Sequence, residues 1–166
     1  MGADFKKRVR DYIDREYLLA DVSAVVVGLS GGADSVCLFN ILSDISTETG
    51  ITVIPVHVHH GMRGEEADRD AAFSCRVAGN RGTVCEVARV DVPAYAAERG
   101  LSTEEAARIL RYRELERIRE EKKAGCIALA HHHPFFQVPL CIPDNRSASP
   151  YGSGSYTVHD PRQVCP

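Results

Sequence analysis

The sequence lacks the features of an exported, membrane-bound or broadly nucleic-acid-coating protein. No apolar run approaches the roughly 18 residues that span a bilayer, and the charged amino-terminal segment has no apolar centre of a secretory signal. The six cysteines form no C-x-x-C pair, so we expect reduced thiols rather than disulfides or a zinc site. A net charge of −3 means that any RNA contact has to be local. We therefore expect a cytoplasmic protein that does not bind membranes.

Apolar strand patterns alternate with helical patterns along most of the chain. The segments 24–29, 51–57, 84–90 and 126–130 are apolar without polar alternation, which is typical of strands buried on both faces of a sheet. Helical patterns follow at 34–42 and 65–77, and a capping box at residues 102–105 begins a long charged helix that continues to Lys123. This order predicts an α/β fold, a doubly wound parallel sheet of Rossmann-like type.

A glycine-rich loop separates the first predicted strand from its helix. It consists of Ser30, Gly31, Gly32, Ala33, Asp34 and Ser35. Paired glycines let consecutive N–H groups turn toward one anion, and the helix N-terminus adds its positive dipole end. The spacing is neither that of a Walker loop nor that of the dinucleotide fingerprint. Asp34 would repel a phosphate unless a cation lay between them, which favours Mg²⁺ over the alternative of a plain turn with Asp34 as a helix cap.

The loop, read as SGGADS after a VVVGL strand, resembles the SGGxDS loop of the PP-loop family. That resemblance implies that residues 30–35 bind the pyrophosphate of ATP, with Mg²⁺ on Asp34, and that the reaction transfers AMP to a substrate oxygen. Within the family, three further segments resemble tRNA(Ile)-lysidine synthases. They are the segment 56–64 (like HVxHGLR), the helix 107–115 (like ARxxRYxxL) and the segment 127–132 (like AxxHH).

The resemblance implies a ligase that adenylates a cytidine of tRNA(Ile) with ATP and then couples free lysine to it. It implies nucleotide-binding roles for His59 and Arg63, and catalytic roles for Asp34, Arg108, Arg111 and His131. Arg108 and Arg111 lie three apart on one helix face and can hold a phosphate of either ATP or the tRNA. His57 is expected to point into the layer beside the sheet. Two alternatives stay open, a metal cluster of histidines and a solvated arginine face on the helix.

Two further alternatives concern the function of the whole chain, namely a nucleotide-binding module without catalysis and another PP-loop ligase. The resemblance stops after His132, where Pro134 stands in place of the expected helix start. Residues 134–166 contain six of the eight prolines and no lysine or glutamate. We therefore divide the chain into a PP-loop domain at 1–133, incomplete at its C-terminal side, and an irregular tail at 134–166. Our hypothesis is that the tail is out-of-frame translation or an unrelated fusion.

Overall fold

Four parallel strands form the centre of the protein. The computed structural model describes residues 3–62, 64–130 and 139–143. The parallel strands are β1 (Ala24–Gly28), β2 (Thr52–His59), β3 (Glu86–Arg89) and β4 (Cys126–Ala130), and they lie side by side in the order β3-β2-β1-β4. All four predicted strands are therefore confirmed, with ends that differ by one or two residues.

Helices cover both faces of this sheet. They are α1 (Ala3–Arg15), α2 (Ala33–Thr49), α3 (Glu65–Gly79), α4 (Val92–Arg99) and α5 (Thr103–Glu121). Val25 and Val27 of β1 pack into the apolar cluster that contains α1 and α2, whereas Val26 packs with Leu115 and Ile118 of α5. Because successive side chains of a strand point to opposite faces, both faces are apolar and each is covered by helices. The predicted doubly wound α/β fold is confirmed.

The strand order reverses at β1. The chain leaves β1 toward β2 and β3 on one side and returns through α4 and α5 to β4 on the other side. In open α/β sheets, ligands bind outside the carboxyl ends of the strands at such a reversal. The fold therefore places the glycine loop, which follows β1, at the point of the sheet where a ligand is expected.

Two helix starts are fixed by side-chain caps. Ser102 accepts a hydrogen bond from the Glu105 amide at 3.2 Å, as the capping box predicts. Helix α4 has no counterpart among the predicted elements, although its start and end are marked in the sequence. Asp91 accepts from the Ala94 amide at 2.9 Å, Pro93 lies in the first turn, and Gly100 closes the helix in a left-handed conformation. At eight residues the helix is too short to show periodicity.

The strand β5 (Pro139–Pro143) pairs antiparallel with β4, and its register runs from Cys126 opposite Pro143 to Ala130 opposite Pro139. The prediction of irregular chain is wrong for these five residues, because their backbone pairs with the otherwise open edge of β4. Prolines at both ends suit an edge strand, where a missing N–H is tolerated. The other residues of the tail lie outside the described part, so the domain division at 133 stays a prediction. No described helix is long and apolar enough to cross a bilayer.

Candidate functional site

A cavity of about 200 Å³ opens where β1, β2 and β4 end. Its walls come from the ends of these strands, from the glycine loop, and from α3 and α5, and they include Gly28, Ser30, Ser35, His57, His59, His60, Met62, Asp70, Arg111, Leu115, Leu129 and Ala130. Apolar walls with a few convergent polar groups are typical of a small-molecule site. The cavity lies at the strand reversal, so the fold and the local chemistry indicate the same place.

Gly31 shapes the turn from β1 into α2. Its φ is +88°, in the left-handed region that glycine adopts without a steric cost. A Cβ atom at Gly31 would lie 3.5 Å from Phe73 Cδ1 and 3.6 Å from Ser74 Oγ, so conformation rather than crowding requires glycine here. Gly32 then begins α2 from an extended conformation and offers no side chain as a cap. A helix N-terminus without a side-chain cap is suited to hold an anion.

Two serine hydroxyls brace the loop. Ser30 Oγ lies 3.1 Å from Ser35 Oγ, and Ser35 Oγ donates to the Gly32 carbonyl at 2.8 Å. Both serines border the cavity, and Gly31, Gly32 and Ala33 lie between them in the chain. The loop is thus held in shape by its own side chains before any ligand is present.

Asp34 lies half-buried in the first turn of α2. A carboxylate beside a phosphate cradle provides the oxygen ligand that Mg²⁺ uses together with phosphate oxygens. No group of three or more histidine, cysteine or acidic side chains able to hold a metal occurs among residues 3–62, 64–130 and 139–143. Mg²⁺ at Asp34 therefore stays a prediction that depends on the phosphates of a ligand, and a cluster of histidines is not formed by the described residues.

His57 and His59 both turn toward α3. The Nδ1 atom of His57 lies 2.9 Å from the Leu29 carbonyl, and burial lowers the pKa of this imidazole. His59 Nδ1 accepts from the Gly61 amide at 3.3 Å, and its Nε2 atom lies 3.2 Å from a carboxylate oxygen of Asp68. Both nitrogens of His59 are therefore used within the protein, although its ring borders the cavity. His57 contacts the Leu29 carbonyl and also borders the cavity, so it does not point away from the site as expected.

His60 lies on the other side of the cavity, with Arg111. Its Nδ1 atom is buried and has no hydrogen-bond partner among the described residues. Burial first, and the Arg111 guanidinium second, lower the pKa of His60 to about 4. The ring is therefore neutral near pH 7. A buried nitrogen without a partner costs about 1–3 kcal/mol, which a ligand group in the cavity can recover.

The sequence comparisons identify the family that carries this loop and cavity. Residues 2–134 match the PP-loop domain family. This chain belongs to the PP-loop family. Its relatives include the tRNA(Ile)-lysidine synthases of Geobacillus kaustophilus, 41% identical over 125 residues, and of Parabacteroides distasonis, 43% identical over 124 residues. Each alignment covers 75% of this chain and 27% of the relative. The synthase of Bacillus cereus is 32% identical over 161 residues, which is 97% of this chain and 34% of that protein.

Solved structures with the same fold include the tRNA thiolase NcsA from Methanococcus maripaludis. Its TM-score is 0.63 at 22% identity, and the match covers 78% of this chain and 45% of that one. The NH3-dependent NAD synthetase from Campylobacter jejuni has a TM-score of 0.57 at 15% identity, covering 75% of this chain and 54% of that one. At these identities the likeness concerns the fold alone.

The arginines expected in the PP-loop site separate in the structure. Arg111 lines the cavity, whereas Arg108 is exposed and is not among the residues of its wall. Arg117 pairs with Glu114 at 2.9 Å and Glu121 at 2.8 Å, so for Arg117 the solvated-face interpretation holds. The remaining two expected residues, Arg63 and His131, lie outside the described residues.

Three polar residues of this PP-loop site were not among the predicted site residues. Asp70 and His60 line the cavity, and buried Ser74 contacts the Leu29 carbonyl at 3.2 Å. The signal for His60 was present in the sequence, because aligning HVxHG with residues 57–61 places the second histidine at 60 and the variable position at 59. Ser74 carried no such signal, since a serine within a helix acquires its role only through packing.

Proposed function

We propose that this chain is the ATP-binding part of a tRNA(Ile)-lysidine synthase. The observation that carries the proposal is the uncapped N-terminus of α2, which follows a glycine loop whose Ser30 and Ser35 border a cavity at the strand reversal. The identity of 41% to a protein of that name supports the same choice. The chain spans about a quarter of the length of such relatives, 27% in that alignment.

In the proposed reaction, residues 30–35 hold the pyrophosphate part of ATP through backbone N–H groups and the two serine hydroxyls. The C2 carbonyl oxygen of a cytidine in tRNA(Ile) attacks the α-phosphate, and pyrophosphate leaves. The amine of free lysine then displaces AMP from the base. The protein aligns the reacting groups and neutralises charge on the phosphates, which are the two large contributions in phosphoryl chemistry. Bound Mg²⁺ would supply further positive charge beside Asp34.

We assign the remaining roles by position. Arg111 reaches into the cavity from α5 and is placed to contact a phosphate. Arg108, one helical turn earlier, is exposed and suits a phosphate of the tRNA backbone. His59 contributes a wall of the cavity, while Arg63 and His131 keep the nucleotide and catalytic roles that the resemblance implies.

The second candidate is an ATP-binding module without catalysis, for which the glycine loop and the cavity would suffice. Calorimetry with Mg·ATP and an AMP-release assay with tRNA and lysine separate the two functions. Binding with release of AMP supports the ligase, binding without release supports the module, and no binding refutes both. Release that depends on a small acid or amide instead of tRNA would indicate another PP-loop ligase.

Asp34→Ala tests the proposed metal role directly. We expect Mg·ATP to bind at least about tenfold more weakly, because the cation that neutralises phosphate charge loses its carboxylate ligand. The difference between titrations with Mg²⁺ and with a chelator should also disappear. Asp11→Ala on α1 is the matched control, because Asp11 is exposed and is not part of the cavity wall. Equal binding by Asp34→Ala and the unaltered chain would remove the metal role.

A further inference from the structure

Two buried polar side chains converge on the last backbone carbonyl before the glycine loop. Leu29 lies between β1 and Ser30, and its amide still donates to the Val56 carbonyl at 2.8 Å. Its own carbonyl receives His57 Nδ1 at 2.9 Å and the Ser74 hydroxyl at 3.2 Å. The two side chains also contact each other at 3.1 Å. His57 is 5% exposed and Ser74 is fully buried.

We propose that His57 and Ser74 are positioning residues that hold the Leu29 carbonyl and thereby fix the glycine loop in its anion-binding shape. The inference rests on the proposed ATP-binding function of that loop. His57 comes from β2 and Ser74 from α3, so the pair ties the loop to two neighbouring elements. We call these two side chains the carbonyl clamp.

The geometry favours a positioning role over simple satisfaction of buried groups. The carbonyl has two lone pairs and takes one donor on each, so the peptide plane that leads into Ser30 has a single favoured orientation. The Ser74 hydroxyl also lies 3.6 Å from the position of a Cβ on Gly31. The clamp therefore binds the chain just before the turn begins, and the Ser74 hydroxyl lies beside Gly31, where φ becomes positive. Burial lowers the pKa of His57, which favours the neutral ring over the charged one.

The test uses the whole chain and compares Ser74→Ala and His57→Leu, which remove a donor, with His57→Asn, whose amide nitrogen lies close to the former Nδ1 position. Ser43→Ala is the control, because Ser43 donates to the Phe39 carbonyl at 2.8 Å within α2, away from the loop. Amide hydrogen exchange is measured without ligand at the two bonded amides that flank the loop, Leu29, which donates to the Val56 carbonyl, and Val36, which donates to the Gly32 carbonyl. The dissociation constant for Mg·ATP is measured by calorimetry.

We expect about tenfold faster exchange at the Leu29 and Val36 amides and about tenfold weaker Mg·ATP binding for each removal, with little change at 126–130. A tenfold change corresponds to about 1.4 kcal/mol. His57→Asn should recover most of both properties, and Ser43→Ala should alter neither. If the variants lower the melting temperature but change neither the exchange at the loop nor the affinity, the positioning role is refuted. His57 and Ser74 then only stabilise the core.

Failure of this inference and failure of the proposed function give different experimental results. If the unaltered chain does not bind Mg·ATP, the proposed function fails, whereas the exchange experiment still decides whether the clamp orders the loop. If His57→Leu does not fold, Ser74→Ala still removes one donor at a helical position where alanine is well tolerated. Exchange at the Leu29 and Val36 amides that Ser74→Ala leaves unchanged would then refute the inference.

Discussion

Replacing Gly31 with alanine tests whether the glycine loop requires a positive φ at this position. At φ +88° an alanine pays about 1–2 kcal/mol for the left-handed region, while its Cβ meets no atom closer than 3.5 Å. The cost therefore comes from backbone strain and not from a clash. Strain of that size either lowers the free energy of unfolding or is relieved by rotating the loop out of its anion-binding shape.

Gly32→Ala provides a matched control one residue further along. Gly32 has φ −69° and ψ 154°, which alanine adopts readily, and its added Cβ would be 3.6 Å from Ser30 Oγ. We expect Gly31→Ala to lower the melting temperature by about 2–8 °C, or to weaken Mg·ATP binding by about 5- to 30-fold, and Gly32→Ala to change stability by less than about 0.5 kcal/mol.

Urea unfolding and calorimetry on the same three proteins give both quantities. The loss of unfolding free energy and the loss of binding free energy in Gly31→Ala should together amount to about 1–2 kcal/mol. Strain that the loop keeps lowers stability, whereas strain that the loop releases by changing shape lowers affinity instead. If Gly31→Ala changes neither, or if Gly32→Ala is the more damaging substitution, the positive φ of Gly31 is not what shapes the loop.

Three further substitutions test the cavity and the helix caps. With its folded-state pKa near 4, His60 resists protonation while the unfolded chain takes up a proton near pH 6.5, so stability present above pH 6.5 is lost as the pH falls toward 4. After allowance for partial solvent access, the free energy of unfolding of His60→Gln, measured with urea, should fall by about 1 kcal/mol less than that of the unaltered chain between pH 7.5 and 5. Equal decreases in the two proteins would contradict this. Gly28→Ala places a Cβ 2.4 Å from Leu129 Cδ2 and should cost about 1–3 kcal/mol in unfolding experiments, with unaltered stability as the contrary result. Ser102→Ala removes the cap of α5 and should cost about 1 kcal/mol in thermal unfolding, and no loss would mean that water satisfies the Glu105 amide equally well.

The parts of the fold that the sequence predicted correctly are those with local signals. The buried strands show as apolar runs because helices cover both faces, and the start of α5 shows as a capping box. Helix α4 has end signals in Asp91, Pro93 and Gly100 but no helical periodicity, and strand β5 has no local signal. Eight residues contain barely two helical turns, and β5 forms only because the edge of β4 offers backbone partners. Pairing of that kind depends on the tertiary structure and leaves little trace in a five-residue segment.

The same distinction between local signals and tertiary packing applies to the candidate site. The glycine loop was predictable because its chemistry is contained in six consecutive residues. Arg108 and Arg111 seemed equivalent in the sequence, since residues three apart share a helix face. They differ by about 4.5 Å along the helix axis, and only Arg111 lies at the level of the strand ends. Sequence spacing gives the face of a helix, but the level of a residue against the sheet depends on how the helix packs.

The histidines after β2 show how one short segment serves two purposes. Because side chains alternate along a strand, His57 and His59 point toward α3, where one binds the Leu29 carbonyl and the other pairs with Asp68. His60 follows the end of the strand and lies near Arg111 of α5, with a buried nitrogen that has no partner among the described residues. Shaping the loop and contacting a ligand are thus expected of two histidines three residues apart, His57 beside Ser74 of α3 and His60 near Arg111 of α5. A substitution at His57 should therefore change loop order in the absence of any ligand, whereas one at His60 should change ligand affinity, stability and its pH dependence without changing loop order.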